Sequence, residues 1–246
     1  MKILLVLMAA GLLRAQVYVV HDGAEMLKPL AAVLEKNGYH AFVEDQKTFR
    51  AHMDAVKPAA VMMYVHEVMD SAVEEYLIRY AMSGGRLIVL HHGMASAKMK
   101  NAKWAEFMGV KILPKDAPVN PWGVDIGKFT LVNLAPGHWV TTHDVKWSST
   151  VAYTPSDSPS VEQVLPAVVF PKTEVYYNLQ FTDGRKKTVL LGMKAEASGR
   201  LVMQDRGGWM MPAGKGWVFY FQPGHYGTDF ADPVYSQIIL NSLAWK

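Results

Sequence analysis

The chain has 246 residues, half of them hydrophobic, with a net charge of +3 and no cysteine. That length and apolar content suffice for one full core in a single domain with several decorations. Without cysteine there is no disulfide framework, no thiolate metal site and no thiol nucleophile, and so small a charge is no footprint of nucleic-acid binding.

Residues 1–15 read as an export signal. Lys2 gives a positive start, Ile3 to Leu13 form an apolar run of about ten residues, and Ala15 is a small residue at a cleavage point. The run is too short to span a bilayer. The competing reading, a first buried strand, is made redundant by Gln16 to Val20, which supplies a strand immediately afterwards. The expected mature chain is therefore residues 16–246, periplasmic or secreted, and losing Lys2 and Arg14 lowers its charge from +3 to +1.

From Gln16 onward strand and helix patterns alternate. Val17 to Val20 predicts a strand ending in His21-Asp22-Gly23. Leu27, Leu30, Val33 and Leu34 share one face of a helix predicted from Glu25 to Asn37, stopped by Gly38. A second strand follows at His40 to Val43, a short helix at Phe49 to Val56, a third strand at Ala59 to Val65 and a helix at Met69 to Ser83. The fourth strand is the hub of the chain. Its apolar run, Leu87-Ile88-Val89-Leu90, reads as a strand covered on both faces and ends in His91-His92-Gly93. Such an order argues for a doubly wound, mostly parallel α/β sheet with helices on both faces and right-handed crossovers.

Beyond Gly93 a helix is predicted from Ala95 to Met108, and then the pattern changes. Lys128 to Leu134, Ala167 to Phe170, Lys187 to Met193 and Trp217 to Phe221 are strand-like, so the second half adds β-rich structure to the sheet. Tyr153 to Ser160 is turn-rich and reads as a surface loop. Trp122, Trp139, Trp147, Trp209 and Tyr226 fall in predicted loops, and the Met-rich stretches at 62–63 and 210–211 read as packing. Phe221 leads into Gln222-Pro-Gly-His225, and Pro233 to Trp245 forms a closing helix.

The order His91-His92-Gly93, Glu174-Val-Tyr176, Gly214-Lys-Gly-Trp-Val-Phe-Tyr220, Gly224-His225 and Asn241-Ser-Leu-Ala-Trp245 resembles the trehalose-utilisation, or ThuA-like, family. The resemblance covers nearly all of the mature chain and is most specific from Gly214 to Trp245. It implies a fold like that of the class I glutamine amidotransferases and a role in carbohydrate metabolism, on a sugar or an oxidised (3-keto) glycoside. Three positions depart from the family pattern: Thr173-Glu174 stands for an acidic pair, Ser158-Pro159 for a His-Pro step, and Trp217 for an arginine.

A class I amidotransferase needs a cysteine at the turn after the hub strand, activated by histidine. This chain has none, so glutaminase chemistry by that route is excluded. Gly-x-Ser-x-Gly is also absent from that turn, where Ser96 would fall inside the following helix. What remains is a set of histidines and carboxylates at strand ends, where ligands bind in open α/β sheets. His91, Glu174 and His225 are the candidate catalytic residues, with Glu174 expected on a loop. His21, Asp22, His92, Tyr176 and Tyr226 are candidates for substrate binding, the tyrosines as flat faces for a sugar.

His91, His225 and Glu174 also suit a divalent metal of the zinc, nickel or manganese kind, with metal-free acid-base work as the alternative. No two of the histidines show the His-x-x-x-His spacing of a helical zinc site. Strand alternation predicts that at most one of His91 and His92 reaches a shared site, unless the strand has already turned there. A non-catalytic carbohydrate-binding module is the competing function, and assembly with a second copy stays open.

Overall fold

The computed structural model describes residues 14–157, 161–197 and 199–246. Its first half alternates as the pattern predicts. β1 (Ala15–His21), α1 (Lys28–Lys36), β2 (Tyr39–Asp45), α2 (Gln46–His52), β3 (Ala60–Tyr64), α3 (Ser71–Met82) and β4 (Arg86–Leu90) follow one another. Capping moves the helix ends from where periodicity alone puts them. Asp45 accepts from the Thr48 amide at 2.7 Å and starts α2 early, and Asp70 accepts from the Ala72 amide at 2.9 Å to open α3. Pro29 sits in the first turn of α1, which a single 3-10 turn at Glu25–Leu27 precedes.

The long helix expected after Gly93 is not continuous. Two 3-10 segments, His91–Met94 and Ser96–Lys100, come first, and α4 (Ala102–Met108) ends on Gly109 in the left-handed region. The rest comprises β5 (Val110–Lys111), β6 (Gly123–Asn133), α5 (Trp139–Thr142), β7 (Ser149–Tyr153), β8 (Gln163–Tyr177), β9 (Gln180–Phe181), β10 (Thr188–Ala197), β11 (Arg200–Ala213), β12 (Gly216–Phe221), α6 (Gly227–Ala231) and α7 (Pro233–Ala244).

Four of these strands escape the sequence reading, the two-residue β5 and β9 and the longer β7 and β11. Residue Tyr153, assigned to a surface loop, closes β7 as a fully buried ring, while the Ser158-Pro159 step lies outside the described residues. β11 is masked in the sequence by Gly207-Gly208 and Pro212, which imitate a loop. A Cβ at Gly207 would overlap the Gly192 carbonyl of β10, so the glycine marks a close approach of two strands. Trp209 in β11 is fully buried, and Met210 and Met211 pack in the core with Met62 and Met63.

The main sheet runs β2-β1-β3-β4-β12-β11-β10-β6-β8-β7. It is parallel from β2 through β12 and antiparallel from there to β7. Both faces of the parallel part are covered, as its apolar runs require. Val17, Val19, Ile88 and Phe219 pack with α1 and α7, whereas Tyr18, Val20, Val89 and Tyr220 pack with α2, α3 and α4. No described helix is long and apolar enough to cross a membrane.

One departure from regularity positions the site. β6 and β8 lose register between Gly127 and Phe129, and residues 123–127 pair with 173–177 beyond the reach of β10. A bulge of this kind bends a strand. The ribbon it creates is tied back to the end of β12, where the Gln222 side chain bonds both the amide and the carbonyl of Tyr176.

The leader expected over residues 1–15 lies mostly outside the described residues. Ala15 opens β1 opposite Tyr39.

Candidate functional site

The site begins at the end of β4. His91 has φ +31°, a left-handed backbone that costs an ordinary residue on the order of 1–2 kcal/mol. The turn is tight because Gly93 packs against β3 and β4: a Cβ there would overlap Val89 Cγ1. Since the chain has left the extended conformation by His91, strand alternation no longer separates the two histidines. Both rings therefore face one locus, with centroids 4.5 Å apart.

The neighbouring strand, β12, supplies the third histidine. Its exit turn is held at successive residues: the Gln222 amide donates to the Gly207 carbonyl, Tyr235 Oη donates to the Pro223 carbonyl at 2.7 Å, and Tyr64 Oη donates to the Gly224 carbonyl at 2.8 Å. The buried Asp229 carboxylate accepts from the amides of Gly224 and Tyr226 and from Thr173 Oγ1 at 2.5 Å. His225 thus stands on a rigid support, a quarter of its side chain exposed, and its ring lies edge-on to His91 at 5.5 Å and to His92 at 5.6 Å.

Glu174 comes from the far side of the sheet. It belongs to β8 and pairs with Ile126, so the loop expected around it is a strand. The bulged ribbon carries its Oε2 to 3.1 Å from His91 Nε2 and 3.4 Å from His225 Nδ1. Four side chains, His91, His92, Glu174 and His225, each offer one donor atom within 4.8 Å of all the others.

Protons cannot satisfy this cluster simply. His91 Nδ1 donates to the Gln222 carbonyl at 2.6 Å, which leaves Nε2 bare in a neutral ring and facing the carboxylate. Burial favours that neutral form and pushes His91 down, against the pull of Glu174. Burial would raise Glu174, yet the His225 and His91 rings beside it hold its carboxyl well below the usual range. Two lone pairs therefore meet at 3.1 Å, an arrangement that either a shared proton or a cation resolves.

The donor set fits a cation. Three imidazoles and one carboxylate suit zinc and its neighbours. Adjacent ligands on a tetrahedral zinc stand about 3.3 Å apart, close to both contacts of Glu174 Oε2. Neither nitrogen of His92 has a hydrogen-bond partner although both are buried, and His225 Nδ1 has none of good geometry. Unpaired buried donors of this kind are costly unless something is bound. The Gln222 carbonyl on His91 Nδ1 is the usual outer support of a metal-bound imidazole.

The other candidates are placed differently. His21 and Asp22 stand outside the cluster. β3 lies between β1 and β4, which puts the ends of those two strands about 10 Å apart. Asp22 holds the loop after β3, accepting from the His66 and Glu67 amides at 2.8 and 2.7 Å, while the buried Lys98 ammonium caps the carbonyls of the same two residues. His66 in turn packs edge-on against His92. Tyr176, expected to offer a face to sugar, is buried and stacked on His91 at 4.6 Å. Of the two candidate tyrosines it is Tyr226, edge-on to His225, that stays partly open.

Sequence reading passed over Gln222, Asp229, Tyr64 and Lys98. Gln222 adjoins a recognised motif, but nothing in the sequence marks the other three.

Comparison with curated proteins finds no sequence match. Among solved structures, a protein described as ThuA-like from Bacteroides uniformis ATCC 8492 superposes with a TM-score of 0.62 at 13% identity, covering 94% of this chain and 91% of that one. A second, from Parabacteroides merdae ATCC 43184, gives 0.59 at 13% identity over 94% and 89%. A protein described as belonging to a GMP synthase, from Thermoplasma acidophilum, gives 0.48 at 11% identity over 94% and 96%. The family model for ThuA, trehalose utilisation, matches residues 12–246 and so takes in β4, β8 and β12, the three strands that build the cluster. This chain belongs to the ThuA family.

Proposed function

We propose that this protein acts on a sugar or an oxidised (3-keto) glycoside at a divalent-metal centre held by His91, His225 and Glu174, with His92 as the fourth donor. The observation that carries the reading is the contact between bare His91 Nε2 and Glu174 Oε2, two lone-pair donors at 3.1 Å in a buried site. The family's link to trehalose utilisation supports the substrate class. When bound, such an ion supplies Lewis acidity toward a carbonyl or hydroxyl oxygen. His91 is sealed from solvent and serves only to hold. His225 and Glu174, with about 26% and 15% of their side chains exposed, are the groups a ligand meets first. Burial around them excludes water and strengthens every charge interaction inside.

The test is a metal analysis of the purified protein, followed by thermal-shift titrations of the metal-free form with zinc, manganese and nickel. Retention of about one ion per chain is expected for a site with this ligand count. Glu174→Gln and His225→Ala should each weaken retention at least tenfold while costing the metal-free fold at most about 2 kcal/mol. A wild type that keeps no metal and gains no stability from any of the three ions would end the reading. Sugars and keto-sugars added to the loaded protein then separate turnover from binding without turnover.

A further inference from the structure

A second concavity lies at the start of the bulged ribbon, with a volume of about 390 Å³ and walls from Lys115, Trp122, Tyr177, Asn178 and Arg200 among others. Its size is that of a site for one small ligand. We propose that it binds a small anionic ligand, a ring-sized molecule carrying a carboxylate, sulfate or phosphate group.

Charge and unspent donors carry the argument. Lys115 Nζ lies 5.4 Å from the Trp122 ring centroid, and the Arg200 guanidinium lies 5.3 Å from that of Tyr177. The rings hold both cations at the cleft and leave most of their N–H groups unspent. Lys115 makes no ion pair or hydrogen bond among the described residues. Among the described residues Arg200 makes one hydrogen bond, from Nη2 to Tyr177 Oη at 2.7 Å, which leaves most of its five donors free there.

The adjoining concavity, which shares Asn120 and Asn178 with this one, is different. Its arginine, Arg206, is occupied by Asp157 and by the carbonyls of Leu179 and Asp205. Negative charge is therefore received on the Lys115 and Arg200 side.

The backbone points to the same place. Four non-glycine residues have positive φ in the described chain; one is His91 of the metal-ligand cluster, and two, Asn120 at +48° and Asn178 at +67°, line this cleft. Left-handed residues concentrate at binding sites because the surrounding structure must hold them there. Asn178 is so held, its Nδ2 donating to the Pro121 carbonyl at 2.7 Å and its Oδ1 accepting from Gln204 Nε2 at 3.0 Å. Tyr177 lies so close over Gly123 that any Cβ there would overlap its ring, which fixes the platform under Arg200.

Isothermal titration of the intact protein at constant ionic strength tests this, with glucuronate, glucose 6-sulfate, glucose 6-phosphate and neutral glucose as probes. Binding by at least one anionic sugar is expected, weakened about tenfold by Lys115→Gln and by Arg200→Gln and weakened by added salt. His225→Ala should leave it unchanged, which keeps this site's failure distinct from that of the metal centre. Equal binding of glucose and the anionic sugars, or affinities unaltered in both cleft variants, would overturn the proposal. So would the absence of any binding by the three anions.

Discussion

His92 couples the site to pH. Burial, and after it the nearby His91 and His66, push its ring down to about 2, whereas in an unfolded chain it titrates near 6.5. Below pH 6.5 the unfolded state therefore takes up a proton that the folded state refuses. Stability must fall with pH across that window, by up to about 1.4 kcal/mol per pH unit for such a histidine. His91 is shifted in the same direction by burial. Glu174, held low against its own burial by His225 and His91, adds stability above the usual carboxylate range that is lost as pH drops through it. Melting temperature of the metal-free protein should thus decline steadily from about pH 7 to about pH 4, and His92→Gln should flatten the upper part of the curve. A wild-type curve already flat there would mean that the folded ring accepts the proton, leaving the cluster without its bare nitrogens.

At the scale of elements, the turn from Gln222 to Tyr226 is where the β8 ribbon is tied to the end of β12. Asp229 of α6 gathers Thr173 of β8 together with the Gly224 and Tyr226 amides, so one buried carboxylate sets both the Glu174 strand and the His225 turn. Asp229→Ala strands three donors and should cost roughly 3 kcal/mol or more in urea unfolding. It should also weaken metal retention in whatever stays folded, whereas Asp229→Asn, which keeps one acceptor oxygen, should lose less on both counts. Metal affinity identical to wild type in the folded alanine variant would show that the turn needs no such support. The first half's elements were legible because each carries its own signal: helical faces such as Leu27, Leu30 and Leu34, and apolar strand runs such as Leu87 to Leu90. β11 was not, because its glycines answer to a strand from elsewhere in the chain.

For the molecule as a whole, export remains a proposal, and it makes a definite prediction. Native material recovered from the periplasm or medium should begin near Gln16 by intact mass. Cytoplasmic chains starting at Met1 would refute it. Ala15 already pairs with Tyr39, so a cut immediately after it removes one register position from β1 and leaves the pairs from Gln16 to His21 in place.

By itself the sequence determined the alternating α/β half, the family, the lack of a thiol nucleophile and the histidines at the ends of β4 and β12. These follow from local period, from residue type and from short motifs, none of which needs the rest of the chain. Tertiary structure decided which of the named residues meet. It removed His21 by placing β3 between β1 and β4, and it turned His92 inward by twisting His91 out of the strand. It also delivered Glu174 from a strand four places away from β12 in the sheet, through the bulge at Gly127 and the grip of Gln222 on Tyr176. Strand order, bulges and backbone handedness are settled by contacts between distant segments, and a single stretch of sequence carries no record of its partners.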